Sequence, residues 1–95
     1  MHELDLNALA KDAATHVDRL GIAREDWVRL AKIAEEAGEV LGALNKRDRQ
    51  KATTADVLAE LGDVFLAALV AADQLGVPPT QVIAERWAEV SRRRP

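Results

Sequence analysis

Five acids stand out by type and spacing: Glu35, Glu36 and Glu39 in "EEAGEV", then Glu60 and Asp63 in "ELGD". Residues three apart share one face of a helix, so each stretch presents a pair of carboxylates together, Glu36 with Glu39 and Glu60 with Asp63. The second pair interrupts "VLAELGDVFLAALVAA", a stretch with no other charge. A helix apolar all round is buried on all sides, and a buried carboxylate must be paired, protonated or bound to a metal. Carboxylates about 5 Å apart repel by roughly 3 kcal/mol at an effective dielectric near 20. Four in one place accumulate repulsion on the order of 10–20 kcal/mol, which rivals the roughly 5–10 kcal/mol stability of a small domain. Such a cluster takes up protons or holds a divalent cation, and all-oxygen ligation suits a hard ion such as Mg²⁺ or Mn²⁺.

Four helices are needed to position these acids. The first spans about Leu4 to Leu20, with Leu9, Ala13, Val17 and Leu20 at helical spacing and Gly21 as its stop. The second runs from near Arg24 to about Lys46, with an apolar stripe of Leu30, Ile33, Ala37, Val40, Leu41 and Leu44. "NKRDRQKAT" reads as a loop, and Thr53 with Asp56 as a capping box that opens the third helix. "QLGVPP" ends it, and Pro79 starts a fourth helix reaching about Arg94, with Val82, Ile83, Trp87 and Val90 on one side. The expected fold is therefore all-α, a single domain of four helices. If the second and third helices form an antiparallel hairpin, Glu39 and Glu60 lie equally far from its midpoint near Arg49 and Gln50. The same holds for Glu36 and Asp63, so all four acids reach one height.

A plainer reading makes Glu35, Glu36 and Glu39 a solvated face paired with Lys32 and Lys46. Solvation is not open to Glu60 and Asp63 if the third helix is central, and the joint pattern favours a metal site. Other chemistry is poorly supported. The chain has 95 residues, no cysteine and a net charge of −3, which removes disulfides, thiolate metal sites and any general attraction for nucleic acid or anionic membrane. The longest uncharged apolar run, "VFLAALVAA", is about nine residues, too short for a membrane span, and the N-terminus lacks a signal-peptide core. A cytoplasmic protein is expected. His2 and His16 are isolated, His16 reading as a surface residue. Trp27 and Trp87 read as core packing. The "SRRR" tail could contact nucleic acid, bind phosphate or complement a helix dipole. The third helix is too apolar for one hairpin to cover, which predicts dimerisation.

"KIAEEAGEVLGALNKR" followed by "VLAELGDVFLAALVAADQLGV" resembles the MazG-like nucleotide pyrophosphohydrolases, whose signature is Glu-Glu-x-x-Glu and then Glu-x-x-Asp. The resemblance implies an all-α dimer or tetramer that cleaves nucleoside triphosphates to monophosphate and pyrophosphate with Mg²⁺. It implies Glu36, Glu39, Glu60 and Asp63 as metal ligands, and Glu35 to orient or deprotonate water or to hold a further ion. Lys32 would contact phosphate. Trp87 and Ser91 occupy places where many relatives carry Lys and Asn, leaving Arg92 and Arg93 as phosphate contacts. Two alternatives remain. The phosphoribosyl-ATP pyrophosphohydrolases of histidine synthesis share the size and a similar acid pattern, although their N-terminal signature is not evident here. A non-catalytic helical interaction module is the other.

Overall fold

A computed structural model describes residues 3–93, so His2 and Arg94 lie outside the described residues. Four helices form an all-α bundle: α1 (Leu6–Arg19), α2 (Asp26–Asp48), α3 (Thr54–Gln74) and α4 (Pro79–Val90). Helix α3 is the hub, packing against each of the other three, and α2 and α3 form the expected antiparallel hairpin.

Local chemistry sets the helix ends. The Asp5 carboxylate accepts from the amides of Asn7 and Ala8 and starts α1. Thr53 and Asp56 make the reciprocal capping box of α3, and Pro79 occupies the first turn of α4, where its missing N–H costs nothing. Gly21 and Gly76 follow α1 and α3 with φ of 77° and 75°, a left-handed conformation that glycine adopts without a Cβ clash.

Several expectations need correction. Helix α2 continues through Asp48, so the first half of "NKRDRQKAT" is helical. No glycine stops it there. Gln50 takes the left-handed conformation (φ 60°), and the Lys51 amide closes back on the Lys46 carbonyl at 2.8 Å. On α1 the fully buried residues are Ala10 and Ala14, one position round from the Leu9–Ala13–Val17 stripe. Nor is α3 covered on all sides within one chain. Ala67, Leu69, Val70 and Ala71 are buried, but Leu58 is 59% and Phe65 63% exposed, because no other helix among the described residues covers that side. Trp27 and Trp87 are also exposed and belong to no core of the single chain.

Candidate active site

The hairpin brings acids from both helices together. One carboxylate oxygen each from Glu36, Glu60 and Asp63 lie within 4.8 Å of one another. Glu39 is not in that trio; it stands beside Glu60 and lines a separate pocket with it. Equal height on two helices is thus observed, with Glu39 reaching Glu60 while Glu36 and Asp63 complete the trio around it.

Burial differs along the cluster. Glu36 is buried, Glu60 half-buried and Asp63 exposed. Glu60 Oε2 is shut off from solvent and has no hydrogen-bond partner. Loss of solvation pushes the Glu60 carboxyl above its ordinary value of 4.5, and the charges of Glu39, Asp63 and Glu36 push the same way. Among the described residues, the cation paired with these acids is Lys32, its ammonium 3.1 Å from Glu36 and 3.3 Å from Glu35. Those contacts, Glu36 first, hold Lys32 above its usual range. The Lys32–Glu35 pairing of the plainer reading is therefore present, yet it leaves Glu60 uncompensated.

Three hard oxygen donors at this spacing, from a set that includes Glu60 with its buried and unpartnered Oε2, fit a divalent cation. Neighbouring ligands of an octahedral Mg²⁺ stand about 3 Å apart and opposite ones about 4 Å, so side-chain rotations that draw the trio together bring it into range.

The cluster separates two cavities. A cleft of about 860 Å³ between α1, α2 and α3 has Glu36 and Asp63 at its acidic end and an apolar wall that includes Leu9, Val17, Val28, Leu66 and Val70. Lys32 and Glu35 line it too, as do Asp12 and His16 of α1. On the other side, Glu39 and Glu60 join Lys46, Lys51 and Asp56 around a pocket of about 570 Å³. Neither cavity includes Arg92 or Arg93, which lie beyond the end of α4; Arg92 instead pairs with Glu89 at 3.2 Å. The single chain therefore does not bring those two arginines to the acids.

Sequence reasoning assigned no role to Asp12 or Arg29 and placed His16 only at the surface. His16 is exposed as expected, but on the rim of the cleft. Arg29 is 2% exposed and pins the floor of the cleft, donating to Asp18 Oδ1 at 2.7 Å and to the carbonyls of Ile22 and Ala23 at 2.9 and 3.1 Å. One signal for it was present. Arg29 precedes Ile33 by four residues and Glu36 by seven, which puts it on the inward face of α2.

A profile of the phosphoribosyl-ATP pyrophosphohydrolases matches residues 8–93, nearly the whole chain. The chain belongs to the phosphoribosyl-ATP pyrophosphohydrolase family. This corrects the resemblance to MazG-like enzymes, a related but distinct family. The match begins within α1, where no N-terminal signature was evident in the sequence. Searches of the curated proteins and of the solved structures found no match. Membership in the phosphoribosyl-ATP pyrophosphohydrolase family carries the reaction class, hydrolysis of a phosphoanhydride bond.

Proposed function

We propose that the protein hydrolyses phosphoribosyl-ATP to phosphoribosyl-AMP and pyrophosphate, using a divalent cation, Mg²⁺ or in its place Mn²⁺, held by Glu36, Glu60 and Asp63. The observation that carries the cation site is the convergence of these three carboxylates, with Glu60 Oε2 buried and unpartnered. The family match supports the substrate. Bound there, the cation would neutralise phosphate charge and lower the pKa of a water.

The residues around it have separate tasks. Glu39, beside Glu60, completes the negative field and is a fourth candidate ligand. Glu35 lines the cleft next to Glu36 and is largely exposed, so it is free to orient a water or accept its proton. The water oxygen bonds to the α-phosphorus, its proton passes to the carboxylate, and the bond from that phosphorus to the bridging oxygen breaks. The bridging oxygen leaves with pyrophosphate. Lys32, already charged and beside Glu36, can turn from that carboxylate to a phosphate oxygen as the cation arrives. The enzyme works as a homodimer in which a second copy covers the exposed face of α3.

A substrate panel tests this reading. Phosphoribosyl-ATP and the ordinary ribo- and deoxyribonucleoside triphosphates are compared by kcat/KM with Mg²⁺. Phosphoribosyl-ATP is expected to lead by about tenfold or more, the worth of one good polar contact. An ordinary triphosphate in first place would overturn the assignment while leaving the reaction class intact.

A further inference from the structure

The acidic centre lies between two cavities of opposite character. The cleft has an apolar wall from three helices. The smaller pocket is lined mainly by charged side chains and by the bare backbone of Gly38 and Gly42. Resting on the proposed hydrolysis, we propose that the substrate straddles the centre, with its nucleoside in the apolar cleft and its pyrophosphate leaving group in the pocket, held by Lys46 and Lys51.

Three observations converge on this orientation. Lys46 and Lys51 make no ion pair among the described residues, whereas Lys32 on the cleft side is already engaged by Glu35 and Glu36. The backbone fixes the two free lysines side by side through the Lys51 amide to Lys46 carbonyl bond, with Gln50 held left-handed between them. A non-glycine residue in that conformation is strained, and such strain persists where the surroundings enforce it. Finally, a Cβ added at Gly38 or Gly42 would meet no atom within 4 Å, so the packing of this chain does not require glycine there. Alanine would strengthen the helix at both positions. What the two glycines do provide is an open pocket floor.

Charge selects the form of the anion. Three carboxylates, Glu39, Asp56 and Glu60, face the two lysines. Asp56 is largely taken up in capping, accepting from the Thr53 amide at 2.7 Å and the Thr53 hydroxyl at 3.0 Å. Glu39 and Glu60 still repel a bare anion, so pyrophosphate enters as its metal complex. A strongly hydrated polyanion gains nothing against the apolar wall of the cleft, which suits a base and sugar.

The test is calorimetric binding of two probes to the full chain, inorganic pyrophosphate and adenosine monophosphate, each with Mg²⁺. Lys46→Ala and Lys51→Ala should each weaken pyrophosphate binding about tenfold and leave the monophosphate unchanged. Gly42→Leu fills the pocket from a strengthened helix and should do the same without lowering the melting temperature. Val28→Trp, on the cleft wall, should weaken the monophosphate and spare pyrophosphate. Unchanged pyrophosphate binding in both lysine variants, from an enzyme that still hydrolyses its substrate, overturns the orientation alone. A folded wild-type protein that binds no pyrophosphate and hydrolyses no triphosphate overturns the reaction and the orientation with it.

Discussion

Glu60 is a half-buried carboxylate with an unpartnered oxygen and other acids beside it. Its folded pKa is raised, first by burial and then by Glu39, Asp63 and Glu36. The stability linked to this group is therefore fully present below its ordinary value of 4.5 and is lost as pH rises through the folded value. In chelator, the urea midpoint of the wild-type protein should fall between pH 4.5 and neutrality. Glu60→Gln should flatten that fall and be the more stable protein at pH 7. Mg²⁺ should restore the wild type and leave the Gln variant unmoved; a variant that loses stability at pH 7 without metal would contradict this. Asp63→Asn removes a ligand and a repulsive charge together, so metal-dependent hydrolysis should fall about 100-fold or more while the fold survives, read by steady-state kinetics and circular dichroism. The trio was largely legible in the sequence, because three-residue spacing on two antiparallel helices sets which acids share a height. Spacing does not set how each side chain is directed, so the sequence could not tell that Glu39 reaches Glu60 from the neighbouring pocket rather than joining the trio.

At the scale of elements, the cleft exists because α1 is tied across the start of α2. Arg29 makes that tie with Asp18 and two loop carbonyls, and Arg24 adds ion pairs to Asp18 and Asp73. Arg24 and Arg29 hold the Asp18 carboxyl below its ordinary value. Arg29→Ala leaves the Ile22 and Ala23 carbonyls without their donor, leaves Asp18 with Arg24 alone and opens a void, for a loss of about 3 kcal/mol in denaturant unfolding. Arg29→Lys should not rescue it, since one ammonium cannot reproduce the guanidinium fork. A change under about 0.5 kcal/mol, the range of ordinary surface substitutions, would show that the tie is not structural. Short-range signals such as Thr53 with Asp56, or Pro79, told where helices begin. The end of α2 carried no such signal, because Gln50 does what a glycine usually does. The Arg29–Asp18 contact joins two helices and follows no local spacing at all.

For the whole molecule, surface area is the telling quantity. The chain exposes 7318 Å², against about 5,400 Å² for a compact monomer of this mass. Its radius of gyration is 15.3 Å, against about 12 Å. The excess is larger than the roughly 800 Å² each partner buries in a standard interface, and Leu58, Leu61 and Phe65 form an apolar stripe within it. The proposed homodimer should sediment as such at micromolar concentration, and Phe65→Glu should shift it toward monomer; a monomeric wild type would refute it. No helix among the described residues is long and apolar enough to cross a membrane, as the short apolar run in α3 led one to expect. The four-helix plan was readable from periodicity, and the excess of apolar residues in the third helix pointed to a partner. Which of its sides stays uncovered was not readable, because an apolar stripe looks the same whether its cover comes from this chain or another. The central claim is that the acids of α2 and α3 form one cation-dependent site for cleaving phosphoribosyl-ATP. Its most direct test is the release of pyrophosphate and phosphoribosyl-AMP from that substrate, with Mg²⁺ and with chelator. Stoichiometric release of both products with Mg²⁺, abolished by chelator, is the predicted result. No release from the folded protein with Mg²⁺, or release that chelator leaves untouched, would contradict it.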